Sequence, residues 1–198
     1  MGENYKLLAT DLDGTLFYPK RPVSLISKKN KRFLNKFIDE GNKVVLVTGR
    51  SPDFTKRVFE VLGREVDVIG MNGAYTIIDG QIKDEHFLDF HVEEMLYDLN
   101  TMFPILGSML ISQKYPLLIS TPPVGKFIEI FYHIYYKLMG RYAEDYHFSN
   151  EEFLKEIKSK HVYKIMLFFG ISRRGERKAA EANRYLRKHY PDQFEASW

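Results

Sequence analysis

Two aspartates two residues apart carry the densest chemical signal in the chain: Asp11-Leu12-Asp13-Gly14-Thr15 follows directly on the apolar run at 5–10, YKLLAT. Carboxylates at this spacing can divide their labour, one attacking as a nucleophile while the other works as general acid and base. Gly14 lets the chain turn sharply, and the Thr15 hydroxyl can hydrogen-bond within that turn. Two further polar clusters close apolar runs. Thr48-Gly49-Arg50 ends the run at 43–48, and Asn72-Gly73-Ala74 ends the run at 66–71. A hydroxyl beside flexible backbone amides suits phosphoryl oxygens. Asn72 reads equally as a turn residue or as part of a pocket lining.

These clusters need elements that bring them together. Residues 5–10, KVVLVT at 43–48 and VDVIGM at 66–71 read as short strands. Residues 27–40 carry Phe33, Leu34, Phe37 and Ile38 at helical spacing, with Gly41 placed to stop the helix, and a second helix starts after Ser51 and Pro52. Residues 5–71 therefore alternate β-α-β-α-β, the pattern of a parallel sheet, and right-handed crossovers place the strands in the order 1-2-3. All three polar clusters then fall at the C-terminal ends of neighbouring strands, the edge where open α/β sheets bind ligands. Asp79-Gly80 between 75–78 and 81–83 predicts a hairpin turn of two positive-φ residues.

From about residue 84 the pattern changes to a mixed α+β unit. Helices are predicted over 91–103, 149–157 (with Ser149 and Glu152 in capping-box spacing) and 172–190. Strands are predicted over 108–112, 117–121 and 162–169, with another starting within 193–198. KFIEIFYHIYYKL at 126–138 is ambiguous between strand and helix. Its aromatics (Phe127, Phe131, Tyr132, Tyr135, Tyr136) read as core packing rather than a base-stacking platform.

DLDGTLF at 11–17, TGR at 48–50 and NGA at 72–74 together resemble the opening half of the haloacid dehalogenase superfamily, and more narrowly its Cof-type, sugar-phosphatase-like branch. The resemblance implies a Rossmann-like α/β core over 1–84 with an inserted α+β cap domain over 85–198. It implies a metal-binding phosphatase that hydrolyses a small phosphorylated metabolite with Mg2+ (magnesium) at the strand ends, and the absence of cysteine adds the expectation of a cytoplasmic setting. Asp11 would attack phosphorus to form an aspartyl-phosphate and would ligate the metal. Asp13 would serve as acid and base and touch the metal through its carbonyl. Thr48, Gly49, Arg50, Asn72 and Gly73 would bind the substrate.

Two elements of that family have no counterpart here: a lysine for the phosphoryl group, and a Gly-Asp-x-x-x-Asp loop completing the metal site. No Gly-Asp pair occurs in the chain. A 1-2-3 sheet also leaves the nucleophile's strand at an edge, where binding crevices do not form. The expectation is an incomplete core, a weakly active or inactive phosphatase, and an open core sheet edge that invites self-association. The rival is a catalytically silent remnant that binds a phosphorylated ligand or a protein partner. A third reading takes D-x-D as the metal motif of a nucleotide-sugar transferase, which would not call for Thr48-Gly49 at the next strand end.

Composition sets the outer bounds. The 198 residues are 44% hydrophobic and 28% charged, which excludes a disordered or collagen-like chain. No run approaches the roughly 20 apolar residues that cross a bilayer, so no membrane role is expected. A net charge of +3 is too small to predict nucleic acid as a partner. The chain has no cysteine, so it has no disulfide framework or thiolate metal site, and a reducing setting is expected. The six histidines show no zinc-binding spacing.

Overall fold

A computed structural model describes residues 5–18, 24–88, 91–123 and 126–191. The chain divides into two compact units, Met1–His86 with Leu138–Glu144 and Phe87–Lys137 with Asp145–Trp198. The return of Leu138–Glu144 to the first unit has no signature in the hydrophobic pattern.

The first unit is a five-stranded sheet in the order β1-β2-β3-β4-β5. Strands β1 (Leu7–Thr10), β2 (Lys43–Val47) and β3 (Asp67–Gly70) are parallel, with Thr10 beside Leu46 and Leu46 beside Val68. The expected 1-2-3 order is present. An antiparallel hairpin, β4 (Tyr75–Ile78) and β5 (Gln81–Glu85), extends the β3 side. Asp79 and Gly80 at its tip both have positive φ, as the two-residue turn requires. Helix α1 (Lys28–Asp39) starts where Ser27 Oγ accepts from Asn30 N, and Gly41 follows it at φ 82°. Helix α2 (Pro52–Leu62) starts at Ser51, whose Oγ accepts from Phe54 N, and ends at left-handed Gly63.

Because both right-handed crossovers step the same way across the sheet, α1 and α2 lie on one face. That face buries Val44, Leu46 and Val68 with Leu34, Phe54, Val58 and Leu62. The alternate residues pay for no such cover: Leu7 is 61% exposed, Val47 40% and Ile69 39%.

Tyr75 is fully buried at the start of β4, across from Gly70 in the β3–β4 pairing. A methyl group on Gly70 would lie 1.9 Å from Tyr75 Cζ, so the ring fills the space that a side chain would take.

The second unit holds a four-stranded sheet in the order β8-β7-β6-β9. Strand β6 (Gly107–Ser112) runs antiparallel to β7 (Leu118–Ser120) and β9 (Val162–Phe168), and the short β8 (His147–Phe148), which sequence reading does not anticipate, runs parallel to β7. Its helices are α3 (Val92–Met102), α4 (Lys126–Met139), α5 (Asn150–Ser159) and α6 (Arg173–His189). Leu99, Leu110, Leu118, Phe153 and Val162 form its core. Ser149 Oγ accepts from Glu152 N, which confirms the predicted cap of α5.

The ambiguous segment at 126–138 is helix α4. Its aromatics do not form a core: Ile128 is its buried residue, while Phe127 and Phe131 are more than half exposed. Tyr132 and Tyr136 instead pack edge-on against Tyr146. The strand expected within 193–198 lies outside the described residues. No described helix is long and apolar enough to cross a membrane.

Candidate active site at the parallel strand ends

The register of β1, β2 and β3 sets Thr10, Leu46 and Val68 in one row, so Asp11, Thr48 and the 71–73 turn leave the sheet at the same edge. After β1 the chain tightens at once. Leu16 N donates to Asp11 O and Phe17 N to Leu12 O, while Gly14 sits at φ 78°. This turn buries Leu12 and Leu16 as anchors and leaves Asp11, Asp13, Gly14 and Thr15 exposed. Two apolar pegs thus hold a polar loop outward.

The other two strand ends are tied to each other. Thr48 N donates to Ile69 O at 3.0 Å, and Asn72 N donates to Thr48 O at 3.3 Å. A methyl group on Gly49 would lie 2.9 Å from Asn72 Oδ1, so glycine permits this close approach. Met71, Asn72 and Gly73 all have positive φ. For the first two this conformation costs on the order of 1 kcal/mol each, a strain that recurs in loops shaped for binding. Thr48 is buried, and its Oγ1 accepts from Arg50 N at 3.2 Å, leaving the hydroxyl proton to donate. Thr48, Gly49, Asn72 and Gly73 therefore form one joined loop pair.

The Arg50 side chain reaches across to the β1 end. Its Nε donates to Asp13 Oδ2 and its Nη2 to Asp13 Oδ1, both at 2.7 Å, a bidentate pair across the β1 and β2 ends. Its Nη1 donates to Tyr142 O at 2.9 Å, and the guanidinium lies 4.3 Å from the centre of the Phe54 ring. Arg50, expected among the substrate-binding residues, is bonded to Asp13 in the fold. The carboxylate of Asp11 carries no hydrogen bond or ion pair among the described residues.

Below Arg50 lies a buried acid that sequence reading misses. Glu144 Oε2 accepts from Ser51 Oγ at 2.7 Å and Oε1 from Ser51 N at 3.1 Å, with Oε1 3.9 Å from Arg50 Nη1. Arg57 Nη1 donates to Ala143 O at 3.0 Å. Tyr142 OH donates to Ser24 O, and its ring packs edge-on against Phe17. Nothing local in the sequence marks these residues, because their partners are about 90 positions away. Tyr75 closes the floor: burial pushes its phenol up to about 12, so it stays a neutral donor, 3.4 Å from Arg50 O.

Burial raises the Glu144 carboxyl above its ordinary value of 4.5, against the opposing pull of the Ser51 bonds and the Arg50 and Arg57 charges. The native state thus holds this proton more tightly than the unfolded chain does. Its contribution to stability is present below 4.5 and is lost as pH rises through the raised native value. Glu144→Gln keeps an acceptor and a donor for Ser51 but cannot ionise. Its stability relative to wild type is expected to improve as pH rises through that window, measured by urea unfolding at a series of pH values. A constant difference across the series would refute this.

Among the described residues, no cluster of three or more His, Cys, Asp or Glu is arranged to hold a metal ion. The strand-end donors are the exposed Asp11 carboxylate and the Asp13 main-chain carbonyl. That set fits Mg2+, which keeps several waters and takes one or two protein oxygens together with substrate phosphate. It does not make a closed site for a transition metal.

Residues 8–197 match the family model for haloacid dehalogenase-like hydrolases. Phosphatase YwpJ of Bacillus subtilis (strain 168) is 44% identical over 69 residues, 35% of this chain and 23% of that protein. A haloacid dehalogenase-like hydrolase from Bacteroides thetaiotaomicron superposes with a TM-score of 0.71 at 20% identity, covering 98% of this chain and 68% of that one. The subclass IIB sugar phosphatase BT4131 superposes at 0.63 with 17% identity, covering 94% and 64%. At these identities the structural likenesses establish the fold. The chain spans under a quarter of the length of the curated phosphatase and about two thirds of these solved structures.

Proposed function

The chain belongs to the haloacid dehalogenase-like hydrolases, and on that premise we propose that it acts in Mg2+-dependent hydrolysis of a small phosphomonoester, of the sugar-phosphate type, through an aspartyl-phosphate. The observation that carries this reading is the exposed Asp11 carboxylate at the end of β1, with no hydrogen bond or ion pair among the described residues, at the same sheet edge as the donor-rich Thr48 and Asn72 loops. In the first step an Asp11 oxygen bonds to phosphorus as the phosphorus–ester oxygen bond breaks. The departing oxygen keeps the electron pair and takes a proton from Asp13. In the second step Asp13 removes a proton from water as that water bonds to phosphorus, which frees inorganic phosphate and returns Asp11. Thr48 Oγ1, the Gly49 and Gly73 amides and Asn72 would bind the phosphoryl oxygens. Mg2+ held by Asp11 and the Asp13 carbonyl would neutralise oxygen charge in the transferring group. The region 85–198 would act as the cap that selects the substrate.

The test is hydrolysis of p-nitrophenyl phosphate with and without Mg2+, comparing this chain with Asp11→Asn. Mg2+-dependent turnover that disappears in the variant supports the reading. Equal background in both overturns hydrolysis by this chain, in favour of a non-catalytic binder of a phosphorylated ligand or of an incomplete, inactive core.

The open edge of β1, which carries the exposed Leu7, with Val47 and Ile69 exposed on the neighbouring β2 and β3, supports self-association through the open sheet. Sedimentation velocity at high micromolar concentration is expected to show a dimer that Leu7→Lys returns to monomer; a monomeric wild type would refute this.

A further inference from the structure

We propose that Glu144 is a positioning residue for Asp13, acting through Arg50. The functional part of this rests on Asp13 being the acid–base residue of the phosphatase reading above.

The Arg50 guanidinium is held from three directions. Asp13 takes Nε and Nη2, the Tyr142 carbonyl takes Nη1, and the Phe54 ring lies beneath its plane. Each partner has its own anchor. Phe54 is fully buried on the first turn of α2, and Tyr142 is buried with its hydroxyl on Ser24 O. Glu144 joins the arrangement at two points. Its carboxylate grips the backbone N–H and hydroxyl of Ser51, the residue that follows Arg50, while Tyr142 two residues earlier supplies the carbonyl on Nη1. The result is a closed circuit from the Glu144 carboxylate through Ser51 to the Arg50 side chain, and back through Tyr142 and Ala143 to Glu144. Shifting Arg50 within it requires breaking at least one charge-assisted bond in a poorly solvated place, where such bonds are strong.

The consequence reaches Asp13. A side-on guanidinium fixes the plane of the carboxylate and the position of both oxygens, because two parallel N–H···O bonds leave no rotation. Asp13 is the exposed end of the chain of contacts and Glu144 the buried end, with side chains 44% and 10% exposed. The buried end therefore holds the exposed one. Both oxygens accept from the guanidinium, so the pair orients the carboxylate form of Asp13, the form that takes a proton from water in the second step, and proton transfer is sensitive to placement at the ångström scale.

Glu144 also helps to fix the start of α2, and a purely structural role must be separable from a positioning one. The readout is the Arg50 Nε–H signal in the 15N spectrum of the full chain, assigned by its loss in Arg50→Lys. A proton in a 2.7 Å bond to a carboxylate exchanges slowly with water. Glu144→Ala is expected to speed exchange of that proton about tenfold or more, and Glu144→Gln, whose carbonyl can still accept from Ser51 N–H while its amide donates to Ser51 Oγ, to restore much of it. If Glu144→Ala does not fold, Glu144→Asp carries the same expectation, since it is one methylene too short to reach Ser51 from its place in the Leu138–Glu144 segment. With p-nitrophenyl phosphate and Mg2+, Glu144→Ala is expected to lower kcat while KM moves less than about twofold.

A folded Glu144→Ala or Glu144→Asp whose Arg50 Nε–H exchange matches wild type overturns the proposal, whatever happens to its melting temperature. If wild type turns over no p-nitrophenyl phosphate, the exchange measurement still decides the link from Glu144 to Asp13, and the phosphatase reading alone falls.

Discussion

Asp11→Asn is expected to lower Mg2+-dependent turnover of p-nitrophenyl phosphate by at least about 10³-fold, because an amide oxygen is a far poorer nucleophile than a carboxylate and the charge that would hold Mg2+ goes with it. The fold should be indifferent to the change. Asp11 is exposed, its carboxylate makes no bond among the described residues, and the turn is held by the main-chain bonds of Leu16 and Phe17. Asp13→Asn separates the two roles. p-Nitrophenolate leaves without needing a proton, so on this ester the variant should lose less in forming the phospho-enzyme than on an alkyl phosphate, where the leaving oxygen must be protonated. Steady-state kinetics on the two esters measure this. Equal losses on both would show that Asp13 is not the proton donor. Asp13→Asn also removes one partner of the Arg50 fork, so its melting temperature must be recorded alongside.

Gly70→Ala is expected to cost the first unit at least about 3 kcal/mol, near the upper end for single substitutions. The added carbon would lie 1.9 Å from Tyr75 Cζ and 2.3 Å from its hydroxyl oxygen. No flexible side chain is available to yield, since Tyr75 is fully buried and its backbone is paired to Gly70 itself. Either β3 and β4 separate or the ring leaves its place beneath the Arg50 carbonyl. For a chain of this size the change corresponds to a fall of roughly 6–12 °C in melting temperature. Tyr75→Leu should itself destabilise, but adding it to Gly70→Ala should cost less than the sum of the two, because one clash is shared. Additive losses by thermal unfolding would show that the ring does not set the requirement for glycine.

The elements of the first unit were legible because their signals are local. Ser27 and Ser51 cap helices through bonds to amides three residues on, Gly41 and Gly63 adopt the left-handed conformation that ends them, and Asp79-Gly80 makes its hairpin from two adjacent residues. Strand order followed from crossover handedness, and from strand order followed the shared edge of Asp11, Thr48 and Asn72. Helix α4 was not legible in the same way. Its run of aromatic and β-branched residues satisfies both periods, and its exposed Phe127 and Phe131 remove the usual assumption that such rings are buried.

What the sequence alone determined, then, is the row of candidate catalytic residues, since each sits within a few positions of the strand that carries it. Only the tertiary structure decided what those residues touch. Arg50 meets Asp13 from 37 positions away, and Glu144 meets Ser51 from 93. An ion pair or a buried hydrogen bond depends on distances of a few ångströms between side chains, and strand periodicity carries no information about which distant loop will supply the partner.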